Sequence, residues 1–119
     1  MRVAVIGASD KPHRYAYQAV KLLLEKGHEV YPVHPRVREI DGLKVYPSIR
    51  DAGDCFDTVT LYVGQAGSAA MADEILGCMP KRIIFNPGAE NPDLEDRAKT
   101  MGVETVRGCT LVMLKTKQF

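Results

Sequence analysis

Arg2-Val3-Ala4-Val5-Ile6-Gly7-Ala8-Ser9-Asp10-Lys11-Pro12-His13-Arg14 is the stretch on which the fold turns. Val3 to Ile6 are all apolar, with no alternating polar face, as a parallel strand covered on both sides requires. Gly7 stops the run and small residues open a turn. From about Tyr15 to Lys26, Ala16, Ala19, Val20 and Leu23 then recur at helical spacing, and Gly27 supplies the stop. Strand, small-residue turn and helix together form the first half of a βαβ unit.

Reading outward, His28 to Val33 is the second strand, with Pro32 marking an edge or a strand end and Pro32 and Pro35 holding the chain extended. Residues 36–57 are the least regular: a basic loop from Arg36 to Gly42, a short strand from Lys44 to Tyr46, and Ser48 capping a turn of helix. Thr58 to Val63 is β-branched and aromatic, hence a strand. A helix follows from about Ser68 to Met79, with Ala69, Ala72, Ile75 and Leu76 on its apolar face, until Pro80 ends it. Arg82 to Phe85 is a strand. Asn91-Pro92-Asp93 and Gly102 frame a short helix with cap, N1 proline, acidic first turn and terminal glycine. Val103 to Val106 is a final strand, and Thr110 to Leu114 is a further short strand or a packed tail. Helices between strands, joined by right-handed crossovers, predict an α/β, Rossmann-like doubly wound, mainly parallel sheet of five or six strands with helices on both faces, forming one domain over residues 1–119.

The sequence has 119 residues, of which 45% are hydrophobic and 26% charged, ordinary proportions for one globular domain. Sixteen Lys and Arg against fifteen Asp and Glu leave a formal charge of +1, so no global field draws the molecule to nucleic acid or an anionic membrane. Apolar runs are far shorter than the ~20 residues that span a bilayer. The start carries no long apolar region of a signal peptide, and a cytoplasmic location is expected. Cys55, Cys78 and Cys109 are an odd number without a C-x-x-C pair, which argues for reduced thiols rather than a disulfide framework or a zinc site.

Ligands of open parallel sheets bind outside the carboxyl ends of the strands. After the first strand, the Gly7 to Ser9 backbone can approach a phosphate closely, the following helix presents free N–H groups, and Lys11, His13 and Arg14 add positive charge. After the second strand, an NAD site wants an acid for the ribose hydroxyl. Val33-His34-Pro35-Arg36 stands there instead, with Arg38 close by, so a phosphate on the ribose is welcome. NADP and coenzyme A both carry one. The incomplete G-x-G-x-x-G disfavours an NADP-binding oxidoreductase without excluding it, and an interaction subunit of an acyl-CoA ligase or acyltransferase is a further alternative.

The motifs then match a known family. Gly7-Ala8-Ser9-Asp10-Lys11-Pro12-His13-Arg14 fits G-A-S-x-x-P-x-R, Leu23-Leu24-Glu25-Lys26-Gly27 fits L-L-x-x-G, and Val30-Tyr31-Pro32-Val33-His34-Pro35 fits V-x-P-V-x-P. Glu39-Ile40-Asp41-Gly42, Tyr46-Pro47-Ser48, Pro87-Gly88-Ala89-Glu90 and Gly108-Cys109 continue the match. The chain resembles the small stand-alone CoA-binding proteins, whose fold is that of the N-terminal domain of the succinyl-CoA synthetase alpha subunit. The resemblance implies CoA as the cofactor, with Gly7, Ala8, Ser9 and Arg14 at the pyrophosphate and Val33 to Arg36 around the adenosine and its phosphate. Val63, Gly64 and the turn through Asn86 and Pro87 would line the rest. Three positions depart: His34 stands in place of asparagine, Asn86 in place of glutamine and Ala16 in place of serine.

No catalytic constellation is recognisable. The phosphorylated histidine of the resembled ligases comes from a second domain, no histidine pair has metal spacing, and Ser9 lacks a nucleophile-elbow context. Binding of CoA or a short acyl-CoA, without catalysis by the chain itself, is therefore expected, with a protein partner or a second copy left open. Cys109 is the one intrinsically reactive side chain near the far strand ends, where Arg107 could activate it. A protonated His34 would add affinity for a phosphate below about pH 6.5.

Overall fold

The computed structural model describes residues 1–119. Five strands, β1 (Arg2–Ile6), β2 (Glu29–Val33), β5 (Thr58–Leu61), β6 (Arg82–Phe85) and β7 (Glu104–Arg107), form one parallel sheet in the order β2-β1-β5-β6-β7. Between them β3 (Glu39–Ile40) and β4 (Leu43–Lys44) make a small antiparallel hairpin. The helices are α1 (Tyr15–Glu25), α2 (Ile49–Ala52), α3 (Gln65–Gly77), α4 (Pro92–Thr100) and α5 (Thr110–Lys115). The fold is α/β and Rossmann-like; counting the five sheet strands in chain order gives 2-1-3-4-5, the doubly wound order that reverses beside the first strand.

β1 is central and buried, with Val3 registered against Val30 on one side and Thr58 on the other. Strand periodicity divides its side chains between two layers. Ala4 and Ile6 join Val59, Leu61, Ile83 and Phe85 beneath α2, α3 and α4, whereas Val3 and Val5 meet Val20 and Leu23 of α1, Leu114 of α5, and Ile40 of the hairpin. Pro32 sits in β2, the outermost strand, where a missing N–H breaks no second ladder.

Several elements differ from their sequence reading. Residues 39–44 form a hairpin whose tip, Asp41-Gly42, has positive φ at both residues (48° and 86°), the geometry of a tight two-residue β-turn. α3 starts at Gln65, three residues earlier than expected, and buries Ser68 rather than Ala69, because Asn91 Nδ2 donates to Ser68 Oγ at 2.8 Å. β5 ends at Leu61, before Tyr62 and Val63. Thr110 to Leu114 is neither strand nor tail but helix, since Leu111 and Leu114, three apart, both reach the core. β2 starts at Glu29 rather than His28, which is half-buried with its ring 5.2 Å from that of Phe119.

Candidate functional site

The strand order reverses at β1, so the carboxyl ends of β1, β2 and β5 diverge and leave a crevice. A cavity of about 860 Å³ opens there. Its walls bring together ten residues anticipated from sequence: Gly7, Ala8, Ser9, Lys11, Arg14, Val33, His34, Pro35, Arg36 and Val63. His13, Gly64, Asn86 and Pro87 do not line it. Arg38, expected close by this strand end, lines it too, and the far wall adds residues that the sequence reading did not name as ligand contacts, chiefly Glu39, Pro47, Ser48, Tyr62, Met71 and Glu74.

The turn after β1 is set by Gly7. Its φ is +85°, a conformation that costs other L-residues about 1–2 kcal/mol, and a Cβ there would stand 2.8 Å from Val63 Cγ1 and 3.2 Å from the Tyr62 carbonyl. Gly7 and Ala8 both donate backbone N–H to the Val33 carbonyl, at 3.0 and 3.2 Å, which ties this turn to the end of β2. Arg14 precedes α1 without capping it by a side chain, so the N–H groups of Tyr15, Ala16 and Tyr17 have no protein acceptor. Those of Ser9 and Asp10 have none either. Free amides at a helix start, with Lys11 and Arg14 beside them, are a donor set suited to a pyrophosphate. This fits the anionic half of CoA.

At the end of β2, His34 does not serve as a cation. Its Nδ1 accepts the backbone N–H groups of Arg36 and Val37, both at 3.0 Å, so Nδ1 is unprotonated and the ring proton is on Nε2. Burial, and then the positive charge of Arg36, hold its pKa below the usual histidine value, against a smaller opposing pull from Asp10. The imidazole thus does what an asparagine carboxamide does in an Asx turn, which suits it to a position where the resemblance would place asparagine. It leaves Arg36 and Arg38, both exposed, as the cations on this side of the cavity.

The hairpin that carries Arg38 and Glu39 is anchored at its tip. Asp41 accepts the Tyr17 hydroxyl and pairs with Lys21 Nζ at 3.1 Å, both on α1. The Tyr17 hydrogen bond first, and Lys21 second, hold the Asp41 carboxyl below its ordinary range.

Asn86 closes the β6 end from within. Its amide donates to Thr60 Oγ1 (2.7 Å) and the Leu61 carbonyl (2.9 Å), and its Oδ1 accepts the Thr110 N–H (2.9 Å). It is 2% exposed and binds β5 to the start of α5. The Tyr62 hydroxyl is buried with no hydrogen-bond partner, and burial pushes its pKa up to about 12, so it stays a neutral phenol on the cavity wall. Arg107, expected beside Cys109, has Glu95 as its partner: its guanidinium forks onto that carboxylate, Nε to Oε1 at 2.7 Å and Nη2 to Oε2 at 2.9 Å. No helix is long and apolar enough to cross a membrane.

Comparison with known proteins supplies the family. The model of the CoA binding domain matches residues 1–115. A Bacillus subtilis protein, the uncharacterized YneT, is 31% identical over 75 residues, covering 63% of this chain and 56% of that protein. The alpha subunit of an ADP-forming acetate–CoA ligase II from Pyrococcus furiosus is 44% identical over 50 residues, covering 41% of this chain but only 11% of the subunit. This chain thus spans about half, or much less, of the curated relatives it matches. Among solved structures, one described as an uncharacterized protein superposes with TM-score 0.94 at 40% identity, covering 100% of this chain and 98% of the other. A Ca. Korarchaeum cryptofilum dinucleotide-forming acetyl-coenzyme A synthetase superposes with TM-score 0.73 at 28% identity over 89% of this chain and 25% of the synthetase. With a family model matching nearly its whole length and a crevice of free amides and cations at the strand ends, this chain belongs to the CoA binding domain family.

Proposed function

We propose that the chain holds CoA, or a short acyl-CoA, across the carboxyl ends of β1, β2 and β5, and that it binds the cofactor without transforming it. The observation that carries this reading is the pairing of two phosphate-suited features in one cavity: unpaired amides beside Lys11 and Arg14, and Arg36 with Arg38 just past the end of β2, where an NAD site would begin with an acid and this chain has His34-Pro35-Arg36. The pyrophosphate lies on the Gly7–Ser9 turn and the start of α1. The 3′-phosphate meets Arg36, and Val63 and Tyr62 flank the chain that leads to the thiol. His13, Gly64, Asn86 and Pro87 have no direct contact in this arrangement.

Titration calorimetry with CoA, 3′-dephospho-CoA, NADPH and NADH tests it. CoA should bind more tightly than 3′-dephospho-CoA, and NADH should be weakest. Arg36→Ala should remove a charge-assisted contact of about 1.5–3 kcal/mol from CoA and much less from 3′-dephospho-CoA, whereas Arg14→Ala should weaken both alike. Equal loss for the two ligands on Arg36→Ala would overturn the adenosine end of the arrangement. Equal affinity for CoA and NADH would overturn the reading as a whole.

A further inference from the structure

On the α2–β5 loop and at the end of α3, away from the phosphate turn, two cysteines stand side by side. The backbone N–H of Cys55 donates to the carbonyl of Cys78 at 2.7 Å. With standard backbone bond lengths, one N–H···O bond this short leaves the two Cα atoms no more than about 6.6 Å apart, below the upper limit of about 6.8 Å at which a disulfide closes. Cys55 is exposed, and its φ of +55° is unusual for a residue with a side chain. Cys78 is buried, and its thiol donates to the Ile75 carbonyl at 3.0 Å.

Cys78 is nevertheless reachable. It lines a second cavity, of about 420 Å³, together with Gly53 and Asp54, the two residues that precede Cys55. Burial pushes the Cys78 thiol up to about 11, with Asp54 and the Cys55 thiol pushing the same way, so Cys78 stays protonated at neutral pH. Gly53 and Gly77, one beside each cysteine segment, give the backbone latitude to bring the sulfurs into bonding distance.

We propose that Cys55 and Cys78 form a dithiol modification site that low-molecular-weight disulfides close into an intramolecular disulfide. The exposed Cys55 thiolate attacks one sulfur of the external disulfide and expels a thiolate, which takes up the proton Cys55 released. Cys78 then attacks the Cys55 sulfur of the mixed disulfide and expels the second thiolate, which takes up the proton Cys78 released. Two protein thiols are oxidised and one external disulfide is reduced to two thiols. Closure fastens the α2–β5 loop to α3, whose Glu74 lines both cavities, so the modification acts on a wall of the larger one. The proposal stands independently of which ligand that cavity takes.

The test uses the intact chain and oxidised glutathione, followed by alkylation without reduction, digestion and mass spectrometry. The expected product is a linked peptide pair containing Cys55 and Cys78, two hydrogens lighter than the reduced chain, with no glutathione retained at either position and Cys109 outside the link. In Cys55→Ser, an exposed and conservative change, Cys78 should remain unmodified. Glutathione held stably on Cys55 while Cys78 stays a thiol would overturn the proposal, as would a link from Cys55 to Cys109 or one between two chains.

Discussion

His34 Nδ1 accepts the backbone N–H of Arg36 at 3.0 Å, so the histidine shapes the very loop whose arginine faces the cavity. Protonation at Nδ1 would replace an acceptor with a donor and set it against two N–H groups and a guanidinium. Acidification therefore loosens this loop rather than adding a phosphate ligand, the reverse of what a basic cluster suggests in sequence.

The sign of the pH dependence follows. The His34 pKa is lowered in the fold, mainly by burial and then by Arg36, so the unfolded chain binds the proton more readily. Stability should fall as pH drops below the unfolded value of about 6.5 and level off once pH passes below the folded value. His34→Asn should keep an acceptor for both N–H groups and flatten this part of the profile, leaving the separate contribution of His28, whose pKa is also lowered by burial and the amino terminus. His34→Ala should lose about 0.5–1.5 kcal/mol per forfeited hydrogen bond at neutral pH. Thermal melts between pH 5 and 8 (about one and a half units to either side of 6.5) check both, and CoA affinity that rises on acidification would contradict this role.

Asp41 fixes the opposite end of the same segment by gripping Tyr17 and Lys21 of α1. Because its pKa is depressed, the latch is intact at neutral pH and is lost only as acid protonates the carboxylate. Asp41→Asn should leave the global melting temperature nearly unchanged, since these are exposed contacts, yet reduce CoA affinity by roughly two- to five-fold through a less ordered Arg38 segment. Backbone hydrogen exchange should quicken over residues 36–46 and not over β1.

What sequence made legible here is what local rules control. β1, its glycine turn, α1 with its Gly27 stop, and α4 with its Asn91 cap follow from periodicity and capping, whose partners lie within a few residues. The misreadings have partners far away in the chain. Ser68 is buried because Asn91 reaches it, and α5 forms because Leu111 and Leu114 find the core beneath α1, overriding a Thr-Leu-Val-Met-Leu stretch that suits a strand equally well. The Asp41-Gly42 pair was a usable hairpin signal. The acceptor role of His34 had no local signal, because tautomer and ring orientation are set by tertiary placement.

Gly7 separates backbone demand from ligand contact. Gly7→Ala combines a left-handed conformation, at about 1–2 kcal/mol, with overpacking against Val63, at about 1–3 kcal/mol. A fall in melting temperature on the order of 10 °C is expected in the absence of ligand. Gly77→Ala, where an added Cβ meets nothing within 4 Å, should instead be neutral or stabilise α3 by a few tenths of a kcal/mol to about 1. Equal melting temperatures for the two variants would show that the turn relaxes around the added methyl.

Asn86 provides the sharpest contrast between a binding and a structural role at a strand end. Replacing it by alanine removes an acceptor from the Thr110 N–H and donors from Thr60 and the Leu61 carbonyl, all buried. Leaving buried polar groups unpaired costs about 1–3 kcal/mol each, and a water admitted to the space would recover part of that. A total loss of about 2–4 kcal/mol follows, a large share of the roughly 5–15 kcal/mol that holds a domain folded. CoA affinity of the fraction that stays folded should change less than two-fold, because Asn86 does not line the cavity. Urea unfolding measures the first quantity and calorimetry well below the melting temperature the second. If Asn86→Ala keeps its stability but loses CoA affinity by ten-fold or more, the amide contacts the cofactor directly and the pantetheine path runs over the end of β6 rather than past Val63.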